Sequence, residues 1–549
     1  MSHALAQAAA ALDPITIEVI GASLSSIVEE TGEALIRASY STNIKERRDC
    51  STALFNAAGD TLCQAEHIPI HLGSFIGIVP HIMRRHQVED MRPGDVFVGN
   101  DAYEGGGTHL PDIVLAEPIF VDGRIVAWTV NLAHHSDFAD RGHAHIYQEG
   151  LRIPPVRLYR AGVLQEDVQN LILLNCQVPR ERLSDLRAQM AANRVGVQRF
   201  QALCAKYGTG TVLAAAEALL DYAERKMRAG IAALPDGTWR FEDVFDPIDI
   251  PETLPLAVEV TIAGDTMALN FEAPDQRRAG INMTYTALLA TAYYMVKSVV
   301  DPTILPNAGL ARPLTVTARQ GSILNCVHPA AVNGRLAACQ RVSDLILGAL
   351  AQAAPGRVTA CSNSVCTVAS FIGSRKSDGA LWVYLETMGG GGGARPGKDG
   401  LDGVHVHTTN TSNLPVEALE IEYPLTLLRY ELVRDSGGDG RHRGGMGLRR
   451  VYRADEDCMV RVDIGRLRSR SWGLQGGGPG GHGAIECGPG VSFTGSTATL
   501  KAGQWFAIVS PGAGGYGPAA ERGPVAVARD VAEGVISAGH ARDSYAYQA

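Results

Sequence analysis

The sequence predicts an α+β protein of several domains: mixed α/β N-terminal and central regions, then a glycine-rich, β-rich C-terminal domain. Three observations lead there. The chain has 549 residues, too many for one hydrophobic core. Its apolar residues recur at helical spacing in some segments and as short strand-like runs in others. Many of its 61 glycines lie beyond Gly389, between short strand-like pieces. The units are expected at 1–230 (an N-terminal helix, hairpins and a candidate metal site), 231–430 (central, mixed α/β) and 431–549 (glycine-rich β).

The elements follow in order. Asp13-Pro14 starts a helix, with Asp as cap and Pro at the first helical position. Ile17, Ile20, Leu24, Ile27, Val28 and Leu35 then form one apolar stripe, and the helix is expected to reach Ser39. Ser51–Phe55, the turn Ala58-Gly59-Asp60 and Thr61–Gln64 read as a hairpin. Asp95–Gly99 is a short strand. Asp112–Phe120, the turn Asp122-Gly123 and Arg124–Ala133 form a longer hairpin. Arg180–Arg228 is mostly helical, and Tyr285–Val300 and Ser343–Ala351 are further helices. No fixed-period repeat supports a solenoid or propeller.

Composition excludes several function classes. Charged residues are 19% of the chain, with a net charge of −9 and interspersed signs. That argues against a nucleic-acid surface and an anionic-membrane patch. No apolar run is long enough to span a bilayer, and the first residues lack a secretory pattern. The ten cysteines include no C-x-x-C pair, so neither a zinc ribbon nor a disulfide framework is expected. A reducing cytoplasm is the simplest setting.

Thr108-His109-Leu110-Pro111-Asp112 and His134-His135-Ser136-Asp137 carry the clearest chemistry. Pro111 disfavours a helix, so His109 and Asp112 lie in a turn entering a strand. The antiparallel return strand delivers His134 to the same end. Two imidazoles and a carboxylate leave coordination positions open, the pattern of a catalytic metal site. His135 and Asp137 are candidates to orient a ligand or move a proton. On spacing alone, the competing reading is a hydrogen-bonded loop, because H-x-x-D is less specific than H-E-x-x-H.

Other clusters are weaker. Lys45-Glu46-Arg47-Arg48-Asp49 reads by itself as a solvated charged face. His67 and His71 flank Pro69. On an extended segment both would face one side, to line a pocket or to hold structure. Gly392, four residues, Gly397 and Lys398 nearly match a phosphate loop. Asp399 then stands where Ser or Thr would hold magnesium, and no apolar helix follows, so the match is rejected. No G-x-S-x-G elbow is present.

Taken together, these segments resemble the hydantoinase B/oxoprolinase family. The likeness runs from Asp13-Pro14-Ile15-Thr16 through Asn43–Asp49, Ala65–Gly73, Asn100-Asp101, Thr108–Asp112, Ala133-His134-His135 and Gln148–Pro155. It continues through Pro306–Gly309, Glu417–Pro424, Asp435–Gly447 and Trp472-Gly473-Leu474. The resemblance implies a large subunit acting with a hydantoinase A-type partner that handles ATP, in a hetero-oligomer such as a heterotetramer. It implies ATP-dependent ring opening of a cyclic amide: a hydantoin, oxoproline or a lactam. It also implies one divalent metal, zinc or manganese, on His109, Asp112 and His134, with Asp49 as a fourth ligand. One departure stands out. The loop after the double histidine is shorter than the family pattern and gains His143 and His145, so His143 joins His67 and His71 as candidate pocket residues. Two alternatives remain: a subunit of an ATP-dependent ketone carboxylase of the acetone or acetophenone type, and a scaffold with a structural metal. The chain length favours the hydrolase.

Overall fold

The computed structural model describes residues 12–65, 67–104, 106–135 and 142–548. Helix α1 (Pro14–Ala38) begins as its sequence dictates: Asp13 Oδ1 accepts from the Thr16 amide at 3.0 Å. Its stripe of Ile20, Leu24, Ile27, Val28 and Leu35 is buried. It packs against helices α2 (Pro179–Tyr207) and α3 (Thr209–Ala232), which are separated at Gly208. Gly208 has φ +83°, a conformation only glycine adopts cheaply.

These helices cover one face of a seven-stranded sheet. Its strands are β1 (Cys50–Asn56), β2 (Thr61–Gln64), β3 (Val96–Gly99), β4 (Asp112–Val121), β5 (Arg124–His134), β6 (Val156–Arg160) and β7 (Val163–Leu164), in the order β2-β1-β5-β4-β3-β6-β7. Alternation of side chains along the strands divides the burial. Leu54 and Ala127 join the core beneath the helices, while Phe55 and Trp128 pack on the other face with Phe75, Ile78 and Ile82. The order matters for function. The β4–β5 hairpin lies directly beside β1, so the residue preceding β1, Asp49, meets the end of β5.

The central unit is a four-stranded sheet of β8 (Gly237–Phe245), β9 (Leu254–Ala263), β10 (Thr266–Glu272) and β11 (Leu314–Ala318), ordered β11-β10-β9-β8. Helices α4 (Tyr285–Val300) and α5 (Arg335–Ala353) share its core. Helix α5 starts eight residues before the segment its apolar pattern marked. Arg335, Gln340 and Arg341 interrupt that pattern, yet all three are buried.

The C-terminal part is a sandwich of two four-stranded sheets. One comprises β12 (Thr367–Ser374), β13 (Leu381–Met388), β16 (Cys458–Asp463) and β18 (Thr497–Leu500). The other comprises β14 (Leu425–Leu432), β15 (Leu448–Ala454), β17 (Ala484–Cys487) and β19 (Trp505–Val509). Aromatic rings fill the space between them, with Phe371 and Tyr452 centroids 5.2 Å apart. Strand pairing crosses the division expected at 430/431. β12 and β13 belong to the sandwich, and β14 itself spans residue 430.

The glycine runs stack backbone on backbone. A Cβ on Gly512 would lie 1.7 Å from the Ser436 carbonyl oxygen, and one on Gly444 would lie 2.0 Å from that of Ala513. No other residue permits such approach. Lys398 sits in an isolated bridge with Arg395, and the next helix begins only at Val416. The ten cysteines form no disulfide. No helix among the described residues is long and apolar enough to cross a membrane.

Candidate metal centre

The register of the β4–β5 hairpin pairs Asp112 directly with His134. His109, in the turn before β4, places Nε2 3.1 Å from Asp112 Oδ1, and its ring centroid lies 4.9 Å from that of His134. One donor atom from each of the three residues lies within 4.8 Å of the others, and all three are buried. Pro111 and the hairpin thus converge these side chains as the sequence suggested.

Asp49 comes to the same place through the neighbouring strand: the His134 amide donates to the Asp49 carbonyl at 3.0 Å. Its Oδ1 lies 3.6 Å from His71 Nε2, and that nitrogen lies 3.9 Å from Asp112 Oδ1. His71 therefore sits between two carboxylates, oriented by Ser51 Oγ at 2.8 Å from Nδ1. The segment around it is a turn leading into a short helix, His71–Phe75, and not an extended strand. For that reason His67 and His71 diverge. The His67 ring packs against Gly32 of α1 and lines a separate cavity of about 800 Å³. Ile68, between the two, lines both cavities.

The charge run divides in the same way. Lys45, Glu46 and Arg48 are exposed, but Arg47 and Asp49 are buried. Arg47 donates to Asn43 Oδ1 at 2.6 Å and to the Leu385 carbonyl at 2.6 Å. Asn43 Nδ2 in turn lies 3.0 Å from His134 Nδ1 and donates to the His134 carbonyl at 2.6 Å.

The structure does not bring His135 to the cluster. Its Nε2 lies 3.0 Å from Gln189 Oε1 on helix α2, and Gln189 also donates to Ile113 O and Asn131 Oδ1. Successive strand residues point to opposite sides, which sends His135 to the helix when His134 faces the cluster. Asp137 lies outside the described residues. His143 is buried at one remove: its Nδ1 lies 3.2 Å from Glu149 Oε1. Glu149 accepts from the Val332 and Asn333 amides at 3.1 and 2.8 Å, and Asn333 O lies 3.2 Å from His109 Nδ1. His143 thus braces the loop that orients a candidate ligand.

Sequence reasoning missed Arg335. It is 1% exposed and donates from Nη2 to Asp112 Oδ2 at 3.0 Å and from Nε to Thr108 Oγ1 at 2.7 Å. A helix expected to begin at Ser343 hid it. Its contact with Asp112 spans more than two hundred residues, a distance no local pattern encodes.

The electrostatics suit metal ligands. Burial depresses the pKa values of His109 and His71, and it brings His134 down to about 4. Burial pushes the Asp112 carboxyl up, but His109 and Arg335 outweigh it and leave the group well below the usual carboxylate range. Neutral imidazoles beside an ionised carboxylate are the states that divalent ions bind.

A pH dependence follows. In the unfolded chain His134 titrates near its ordinary value of about 6.5. The unfolded state therefore takes up protons that the folded state refuses as pH falls from about 6.5 to about 4. Stability is complete above that window and declines through it, by about 3 kcal/mol for His134 alone. Thermal unfolding of chelator-treated protein across this window checks it. A midpoint that stays flat until the carboxylate range would show that the imidazoles are not held neutral by burial.

Comparison with known proteins agrees with the motifs. The profile of the hydantoinase B/oxoprolinase family matches residues 13–519. An uncharacterised protein of Methanocaldococcus jannaschii is 37% identical over 96% of this chain and 94% of its own. The B-type subunit of a putative D-/L-hydantoinase from a Pseudomonas species is 33% identical over 96% of this chain and 93% of its own. The crystal structure of the ATP-dependent caprolactamase of Pseudomonas jessenii superposes with a TM-score of 0.87 at 29% identity, covering 97% of this chain and 96% of that one. Acetone carboxylase superposes with a TM-score of 0.88 over 97% of this chain and 79% of that one; at 19% identity this speaks for the fold alone. The chain belongs to the hydantoinase B/oxoprolinase family.

Proposed function

We propose that this chain is the metal-binding subunit of an ATP-dependent cyclic-amide hydrolase. It would open a hydantoin, oxoproline or lactam ring together with a hydantoinase A-type ATP-binding subunit. One observation carries the reading: the buried His109–Asp112–His134 cluster, flanked by Asp49 and His71, borders a narrow cavity lined by His109, His134, Asp49 and His71. Relatives named as a B-type hydantoinase subunit and a beta subunit of caprolactamase support the substrate class and the need for a partner.

An unstrained amide resists water because resonance lowers the electrophilicity of its carbonyl carbon and nitrogen leaves poorly. Phosphorylation of the amide oxygen, assigned to the partner, removes that resonance; water then adds to the carbon, the C–N bond breaks as the nitrogen takes up a proton, and hydrolysis of the resulting acyl phosphate gives the carboxylate and phosphate. His109, Asp112 and His134, with Asp49, would hold a zinc or manganese ion. That ion, when bound, supplies Lewis acidity and a water of lowered pKa. The chain's own residues do the rest. Asn333 O orients the His109 ring, Arg335 fixes one oxygen of Asp112, and Asn43 holds the end of β5. Burial keeps bulk water from the activated carbon. Asp137, three residues beyond His134, is the proposed proton carrier. His135, engaged by Gln189, is assigned to holding the strand end against helix α2.

The test is to co-purify this chain with its ATP-binding partner and measure ADP release with 5-oxoproline, hydantoins and lactams. Ring-opened product, formed only with ATP and lost on chelation, is the expected result. ADP release that requires bicarbonate and a ketone would favour the carboxylase instead.

A further inference from the structure

Helix α5 points its N-terminus at the same cavity. Asn333, Gly334, Arg335, Leu336 and Ala337 all line it, beside the His/Asp cluster. Gly334 is the N-cap and offers no side-chain cap to the first turn. The amides of Arg335 and Ala337 already donate to the Val332 and Gly334 carbonyls at 3.1 and 3.2 Å, so what this nineteen-residue helix brings to the cavity is the field of its positive end and the Arg335 side chain. An independent observation points to a ligand. Two nitrogens of the Arg335 guanidinium are engaged, Nε on Thr108 and Nη2 on Asp112, but Nη1 is buried with no partner. The residue is 1% exposed, so bulk water does not serve that nitrogen. A buried charged donor left unsatisfied is costly. Arg461 also lines the cavity: it directs Nη2 to Asp249 at 2.9 Å, lies 3.9 Å from Asp463, and leaves its buried Nε without a partner. When a divalent cation balances Asp112 and Asp49, the charge of Arg335 has no counterpart in the cluster.

We propose that the first turn of α5, with Arg335, is the recognition site for the phosphoryl group of the activated substrate. It would hold this tetrahedral oxyanion while the attached carbon faces the His/Asp cluster. The proposal rests on the hydrolase reading above and adds to it the residues that read the phosphoryl group. Arg335 is then both a positioning residue for Asp112 and a direct contact to substrate. A guanidinium already fixed by two hydrogen bonds loses little freedom on accepting a third partner. The dipole of α5 adds to the attraction for an anion at this end.

The test is calorimetric titration of the full, metal-loaded chain with inorganic phosphate, and in separate arms with acetate and bicarbonate. Phosphate is expected to bind at least about tenfold more tightly than either. Ala337→Asp puts a carboxylate in the first turn, where it suits the helix and repels an anion. It is expected to weaken phosphate binding by about tenfold or more, with metal content unchanged. Arg335→Lys, which cannot reach Asp112 and the anion together, should weaken it similarly; if that variant does not fold, Ala337→Asp carries the test. Equal phosphate affinity in wild type and Ala337→Asp, tighter binding of bicarbonate, or no phosphate binding would each overturn the proposal. If phosphate fails to bind while the complex still opens cyclic amides, only this inference falls. If phosphate binds as expected but no cyclic amide is turned over, the hydrolase reading falls and the oxyanion site stands.

Discussion

Replacing His134 by alanine is expected to lower cyclic-amide turnover by the reconstituted complex by about a thousand-fold or more, about 4 kcal/mol of barrier. The metal content of the purified chain should fall with it. The reason is geometric. His134 stands opposite Asp112 in the hairpin register, and no other imidazole on β5 can reach the cluster. His109→Ala should behave alike, because His109 approaches Asp112 to 3.1 Å from the preceding turn. His135→Ala supplies the contrast. That side chain sits on Gln189, so the variant should keep its metal even if its stability drops. Elemental analysis together with turnover reads all three. A His134→Ala protein that keeps both metal and activity would remove the cluster from the mechanism.

Glu386→Ala should cost about 3–5 kcal/mol of stability, the largest structural effect expected of a single substitution here. Glu386 is fully buried between two arginines. Arg450 Nη1 lies 2.8 Å from its Oε2, Arg47 Nε lies 3.7 Å from its Oε1, and Tyr384 donates its hydroxyl to it. Removing the carboxylate strands two buried guanidinium groups. Because Arg47 comes from the N-terminal unit and Arg450 from the sandwich, the loss also loosens the contact between them. Arg47 leads through Asn43 to His134, so the variant should lose metal more readily as well. Denaturant unfolding and a chelator challenge, with Glu386→Gln for comparison, measure both effects. A midpoint unchanged in Glu386→Ala would mean that the buried ion group contributes nothing net.

Particular residues show what sequence reasoning could reach. Asp13-Pro14, the β4–β5 hairpin and Tyr285–Val300 are local patterns, and the structure reproduces them within one or two residues. His109, Asp112 and His134 were legible for the same reason, since all three sit on one turn and one hairpin. Asp49 needed the family resemblance, because its approach depends on β1 pairing with β5, a contact across some eighty residues. Arg47 does not show its burial in the sequence. A run of charges looks exposed until a partner such as Glu386, distant in sequence, buries one of them. Strand pairing crosses the 430/431 position because glycine content tracks close backbone stacking, whereas β12 and β13 already pair within the sandwich.

The sequence by itself determined the fold class, the N-terminal helix, the early hairpins, the helix Tyr285–Val300, and the three side chains that form the core of the cluster. Each of these is a matter of short-range spacing and backbone stereochemistry. Tertiary structure alone decided that His71 would stand between two carboxylates, that His135 would turn to a helix, and that Arg335 would reach Asp112 and line the cavity. Those placements depend on which strand lies beside which and on where α5 begins, and long-range packing settles such questions only when the whole chain has folded.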